Sequence, residues 1–138
     1  MKFIVILYVI ITIIACNKDS DKIICYNDRD VKIRIDIPYG AYINEKCIIE
    51  GEVENCVIHS GVKIGKGSVV KNSVIMKDTV VRTGCQIDKA LIDEEVVIEQ
   101  GCKVGEGNNV TVIGYHCVAL ENATVEDGAM IYPDTILH

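Results

Sequence analysis

Gly67, Gly84 and Gly101 lie seventeen residues apart, and the same step relates residue to residue through the middle of the chain. It carries Ile58 to Ile75 to Ile92, Ile64 to Val81 to Ile98, and Val70 to Ile87 to Val104. It also carries Cys56 to Ser73 to Ala90, Val62 to Thr79 to Val96, and Ser68 to Cys85 to Cys102. A fixed period that preserves residue class position by position marks a solenoid in which each repeat is one coil. Each coil divides again, because its apolar residues step by six, six and five. A small or apolar residue four places after most of them is expected to face inward too: Val62, Ser68, Val74, Thr79, Cys85, Leu91, Val96 and Cys102. This hexapeptide pattern gives three short strands to a coil, with coils stacked at about 4.8 Å so that equivalent side chains form internal ladders. The glycines fall in the turns, where a positive φ is needed and a Cβ is costly. The expected fold is all-β, a single-stranded parallel β-helix of hexapeptide repeats.

The register continues beyond the regular coils. Gly105-Glu106-Gly107-Asn108-Asn109-Val110-Thr111 interrupts the count and reads as a loop. A six-residue step resumes at Ile113, Ala119, Val125, Ile131 and Leu137, with inward partners at Cys117, Ala123, Ala129 and Thr135. Before Ile58, the residues Ile43, Ile49 and Val53 read as inward-facing, but their steps do not match the later coils. About five coils fit between Ile43 and His138, one of them malformed.

The first forty residues have a different character. Met1-Lys2 precedes thirteen residues, Phe3 to Ala15, of which only Thr12 is not apolar. As a helix that run spans roughly 20 Å, short of a ~30 Å hydrocarbon core but suited to a secretory h-region. It ends Ala15-Cys16 and turns polar at Asn17-Lys18-Asp19, the arrangement of a bacterial lipoprotein signal with Cys16 as the lipidated residue. The competing reading is an apolar run from a start codon upstream of a broken frame, with no biological role. The chain therefore divides into 1–16, a signal- or anchor-like segment; 17–40, a linker or poorly defined segment; and 41–138, the β-helix. Within the linker, residues 31–37 alternate apolar and charged, as an edge strand does, and Pro38-Tyr39-Gly40 reads as a turn.

Composition excludes some functions. Without residues 1–16 the chain carries 13 basic and 20 acidic residues, and this acidic balance argues against nucleic acid as a partner. One phenylalanine and no tryptophan imply an aliphatic core. Of the seven cysteines, Cys85, Cys102 and Cys117 occupy inward positions shared with Ala, Ser, Thr and Val, where a thiol acts as a small apolar side chain. There is no Cys-x-x-Cys pair to support a zinc site, and unpaired thiols fit a reducing compartment better than export.

Two stretches carry a specific resemblance: Gly51-Glu52-Val53-Glu54-Asn55, and the run from Gly61-Val62-Lys63-Ile64-Gly65-Lys66-Gly67 to Ser73-Val74-Ile75-Met76. Together with Val110-Thr111-Val112-Ile113-Gly114, they resemble the C-terminal β-helix of bacterial glucose-1-phosphate adenylyltransferase (ADP-glucose pyrophosphorylase), including its regulatory-subunit form. The likeness covers roughly residues 38–138. It implies a left-handed β-helix, an exception to the usual right-handed crossover. It also implies a cytoplasmic role in glycogen biosynthesis, as a regulatory and oligomerisation domain whose partners are catalytic or identical adenylyltransferase subunits. If the N-terminal segment is genuine, the chain is instead attached to a membrane through residues 1–16.

The family's reaction, with ATP and Mg²⁺, belongs to an N-terminal nucleotide-binding domain. The chain is thus expected to be a fragment holding no cofactor and no catalytic residue. Gly65-Lys66-Gly67-Ser68 occupies a hexapeptide turn with no helix after it, unlike a phosphate loop. Lys63, Lys66, Lys71 and Arg82 face outward by register and are the candidates for binding an anionic effector; the bland alternative is a solvated charged face. The shortened segment Tyr39-Gly40-Ala41-Tyr42-Ile43-Asn44 departs from the family's linker and puts the N-terminal cap of the β-helix in question.

Three other functions compete with this reading. A hexapeptide acyltransferase needs a histidine base, and the candidates are His59 and His116, at turn positions, and the terminal His138. A carbonic-anhydrase-like zinc enzyme needs three histidines around one metal, whereas His59 and His116 lie about three coils apart. A structural β-helix lipoprotein needs only the anchor.

Overall fold

The seventeen-residue period becomes a stack of strands. A computed structural model of the chain describes residues 17–19, 22–26, 32–35 and 42–138, and every regular element among them is a β-strand. Residues 42–138 wind round three parallel sheets. The first face is built from β4 (Tyr42–Ile43), β7 (Val57–Ile58), β10 (Val74–Ile75), β13 (Ala90–Ile92), β16 (Thr111–Ile113) and β19 (Met130–Ile131). The second is built from β5 (Ile48–Ile49), β8 (Lys63–Ile64), β11 (Val80–Val81), β14 (Val97–Ile98), β17 (Val118–Ala119) and β20 (Ile136–Leu137). The third holds β6 (Glu52–Glu54), β9 (Val69–Lys71), β12 (Gln86–Asp88), β15 (Lys103–Val104) and β18 (Thr124–Val125). The described solenoid is therefore five coils of three strands and two strands of a sixth.

Register follows the period read from the sequence. Ile58 lies beside Ile75 and Ile75 beside Ile92; Val81 lies between Ile64 and Ile98; Ile87 lies between Val70 and Val104. These ladder side chains are at most 2% exposed, and burying each contributes roughly 1.5–3 kcal/mol. The early steps that failed to match still close a coil, shorter by two residues: Ile43 pairs with Ile58 and Ile49 with Ile64. The interruption at 105–112 lengthens its coil without breaking the pairing, since Ile92 meets Ile113. The Lys89 ammonium donates to the Gly107 carbonyl at 2.9 Å, and Asn109 donates through its backbone N–H and Nδ2 to the Asp127 carboxylate.

Two inward assignments are corrected. Val74 and Leu91, expected inside, are half-buried on the outer side of the first face, and Ser73 and Ala90 point inward at 2% exposure. The cause is the five-residue step at the third corner. Every inward pair is a ladder residue and the residue two before it, so counting four forward overshoots by one wherever a coil takes its short step.

The small inward positions do more than fill space. Ser68 Oγ donates to the Arg82 carbonyl, Thr79 Oγ1 to Asp93 and Cys85 Sγ to Glu99, each fourteen residues on, at 2.6, 2.7 and 3.1 Å. Cys102 Sγ reaches the Leu120 carbonyl and Cys117 Sγ that of Tyr132, both at 3.0 Å. A carbonyl at a corner has left the sheet ladder, and a buried one without a partner is costly. The cysteines are therefore hydrogen-bond donors here as well as apolar filler.

Corners repeat as strictly as strands. Lys46, Gly61, Asp78, Glu95, His116 and Asp134 stack at the first corner, all with φ between 56° and 74°. Gly67, Gly84, Gly101 and Asn122 do the same at the second, with φ from 61° to 72°. The coil ends differ in part: in the first coil Ile43 and Val53 are each 3% exposed and Ile49 is half-buried, whereas in the last both Ile131 and Leu137 are half-buried.

Ahead of the solenoid, in the segment read as a linker, β1 (Asn17–Asp19), β2 (Lys22–Tyr26) and β3 (Lys32–Ile35) form an antiparallel sheet in the order β1-β2-β3. The alternating stretch expected as an edge strand is β3, at that sheet's edge. Residues 1–16, including Cys16, and the turn at 38–40 lie outside the described residues.

Replacing Val81, or its ladder neighbours Ile64 or Ile98, with Asp buries an unpaired carboxylate between coils, a penalty of several kcal/mol against a total stability of about 5–15 kcal/mol. The variant is expected to lose its cooperative thermal transition by circular dichroism; an unchanged melt contradicts the register. Burial pushes the Cys47 and Cys56 thiols up to about 11, and burial also raises Cys85 and Cys102. Folding holds these protons, so the stability they contribute is complete below about pH 9 and is lost as pH rises towards about 11. An aromatic disulfide reagent at pH 8 is expected to leave Cys56, Cys85 and Cys102 unlabelled until denaturant is added; labelling of the folded chain contradicts this.

Candidate functional site

The outward residues of the strands divide the prism into unlike faces. The first presents Val57, Val74, Leu91, Val112 and Met130; the third presents Glu52, Glu54, Lys71, Gln86, Asp88 and Lys103. The second carries two lanes. One lane reads Ile48, Lys63, Val80, Val97, Val118, Ile136, and the other, two residues on, reads Glu50, Gly65, Arg82, Glu99, Leu120, His138. The second lane still belongs to the ladder, because the backbone N–H groups of Gly65, Arg82, Glu99 and Leu120 donate to the carbonyls of Val81, Ile98, Ala119 and Leu137.

A groove of about 290 Å³ opens on the second face over Gly65, lined by Ile48, Glu50, Lys63, Val80, Arg82 and Glu99 among others. Gly65 is what makes it. A Cβ at that position would stand 2.9 Å from the backbone of Arg82 and Thr83, closer than a side-chain carbon normally comes. The missing side chain leaves a gap in the second lane between Glu50 and Arg82. Arg82 Nε stands 3.7 Å from Glu99 Oε2, an ion-pair contact longer than a hydrogen bond. The groove is thus an apolar floor with cations and carboxylates alternating along its rim.

The four candidate effector residues separate. Lys63 and Arg82 line the groove, and Lys66 is exposed in the turn that leaves the second face just beyond it. Lys71 lies on the third face, with its ammonium 3.0 Å from Glu54 Oε2; that bond raises the lysine pKa. An anion recognised here therefore meets Lys63 and Arg82, with Lys66 at the margin and Lys71 elsewhere. The sequence reading missed Glu50, Gly65 and Glu99 as groove residues. Their signal was available in the residue after each ladder position on the second face.

The histidines are also placed. His59, a candidate base at a turn position, is 8% exposed and stacks at the first corner between Asn44 and Met76; burial lowers its pKa. His116 is exposed at the same corner three coils on, with Nδ1 3.0 Å from Asp134 Oδ1. The Tyr115 hydroxyl beside it donates to Glu95 Oε2 at 3.2 Å, which raises the tyrosine pKa. His138 ends the second lane, exposed. The three histidines do not converge, and among the described residues no group of three His, Cys, Asp or Glu side chains is placed to hold a metal ion.

A parallel solenoid of hexapeptide coils with this register is the architecture of the hexapeptide-repeat proteins. The family described as GlmU-like, C-terminal hexapeptide, matches residues 30–119, and the chain belongs to it. The chain is 43% identical over 88 residues to a glucose-1-phosphate adenylyltransferase of Clostridium perfringens, a match covering 63% of this chain and 22% of that enzyme. Over 29 residues it is 59% identical to the glucose-1-phosphate adenylyltransferase of Geobacillus stearothermophilus, 8% of that enzyme's length. The chain thus spans less than a quarter of the curated relatives it matches. Among solved structures, the acetyltransferase domain of PglB from Neisseria gonorrhoeae superposes with a TM-score of 0.66 at 14% identity, over 71% of this chain and 49% of that one. That likeness is one of fold.

His59 supplies a test of the first corner. Its depressed pKa means folding favours the neutral ring, so its contribution is complete above about pH 6.5 and is lost as pH falls. Replacing His59 with Met, the residue stacked beside it at position 76, is expected to flatten the loss of stability between pH 7.5 and 5.5 seen in urea titrations. An unchanged pH dependence contradicts the buried placement.

Proposed function

We propose that this chain is a regulatory and assembly β-helix of the glucose-1-phosphate adenylyltransferase of glycogen biosynthesis, without catalysis of its own. The observation that carries this reading is the identity to the Clostridium perfringens enzyme, which runs over most of the solenoid at a level well above that of proteins sharing only the fold. The chemistry of the relatives, adenylyl transfer to glucose-1-phosphate, needs a phosphate-cradling loop opening a helix, and the described residues are strands and turns. A β-helix of this kind acts by holding subunits together and by passing an effector's binding energy to a catalytic partner. Its effector is an anionic metabolite met by Lys63 and Arg82 in the groove, with Lys66 at its edge. ATP and Mg²⁺ belong to the catalytic partner.

A second reading, an acyltransferase, is favoured by one observation. Asp134 holds one ring nitrogen of an exposed His116, the arrangement that orients an imidazole as a general base.

The purified chain is expected to form no ADP-glucose from glucose-1-phosphate and ATP, and to co-elute with a full-length adenylyltransferase of the Clostridium perfringens kind. Replacing both Lys63 and Arg82 with Ala is expected to weaken the response of that complex to anionic effectors. Independent elution, together with acetyl-coenzyme A turnover that is lost in His116→Ala, supports the second reading instead.

A further inference from the structure

The two lanes of the second face complement themselves when reversed. Numbered by coil from one to six, a two-fold axis along the strand direction between coils three and four sets coil one against coil six, two against five and three against four. Each lane then faces its own copy. Ile48 at 54% exposure meets the partner's Ile136 at 59%, and Val80 meets the partner's Val97. In the second lane Arg82 meets the partner's Glu99, and by symmetry Glu99 meets the partner's Arg82. The gap over Gly65 receives the partner's Leu120, an exposed apolar knob on a face whose other large apolar side chains have their counterparts. The remaining pairs also fit: Glu50 faces the partner's His138, and the Lys63 stem lies over the partner's Val118 with its ammonium at the rim.

We propose that the second face is a self-association surface on which two copies of this chain pack antiparallel, with the Leu120 of each seated in the Gly65 groove of the other and Arg82–Glu99 pairs exchanged across the axis. The proposal deepens the assembly role above by naming its surface, though the complementarity stands on the lanes alone. An isologous contact requires that each patch match itself, and few linear patterns of two apolar pairs, a knob, a hole and a charge pair do so at a single register. The face extends about 24 Å along the axis, less than a standard interface covers, so the dimer is expected to dissociate in the micromolar range. Anions that bind Lys63 and Arg82 compete with the contact.

The test is sedimentation velocity of the full chain from about 1 to about 200 µM. A concentration-dependent dimer is expected, reduced at least tenfold in affinity by Arg82→Glu, by Glu99→Arg and by Leu120→Asp. The double variant R82E/E99R is expected to regain the dimer, because the reversed charges again meet across the axis. Circular dichroism melts identify any variant that has lost its fold; the sites are exposed, and the rescue separates lost contact from lost structure. A wild-type chain that stays monomeric to about 200 µM overturns the proposal, as does a dimer indifferent to the single variants or one that the double variant fails to restore. Failure of the assembly role reads differently: a dimer that behaves as expected here but does not co-elute with an adenylyltransferase leaves the surface standing and removes the partner.

Discussion

Everything in this molecule depends on the hydrogen bonds between coils. Each strand of the solenoid is two or three residues long, too short to be stable alone, and gains partners only from the coils on either side. The ladder of parallel bonds fixes the rise per coil, and that rise sets Ile on Ile and Val on Ile inside the prism. The same bonds leave carbonyls at the corners without strand partners. Serine, threonine and cysteine side chains at inward positions answer some of them, while Val62, Ala90, Val96 and Ala123 at equivalent positions only fill space. A solenoid held this way tolerates a coil of unusual length at a corner, where the ladder is already interrupted, and the loop at 105–112 is placed there.

Because equivalent residues stack, the outside is as ordered as the inside. An outward residue becomes part of a lane, and the chemistry of a face is the sum of one or two lanes. This turns single substitutions into surface features. Gly65 is one missing side chain, yet it opens the groove; Arg82 and Glu99 are one repeat apart and become adjacent charges. The third face is largely polar, the first is largely apolar, and the second mixes apolar and charged residues.

Much of this was legible in the sequence, and the failures have physical causes. The ladders at 58, 64 and 70 and their successors were fixed by the period alone, because an interior that narrow accepts only aliphatic side chains. Val74 and Leu91 were misplaced because a rule counted forward from the ladder residue, and the short step at the third corner shifts the count. The turn position of His59 did not show its burial, because its neighbours along the corner stack, not its own polarity, decide its exposure. The first coil was obscured by its shorter spacing, although strand pairing recovers it. The strands β1 and β2 had no period or alternation to announce them. The groove escaped notice because it is defined by a residue with no side chain, although the residue after each ladder position on the second face marked its place.

The account's central claim is the rise per coil that sets every lane. Lys46 and Asp134 occupy equivalent positions at the first corner, five coils apart, with matching φ of 58° and 59°. Spin labels on cysteines placed at those two positions, with Cys16 and Cys25 changed to serine, should report a single narrow inter-label distance near 24 Å by pulsed dipolar spectroscopy. A broad distribution, or a distance beyond about 35 Å, would mean that the coils do not stack at one strand spacing. The ladders, the groove and the lanes would then fall together.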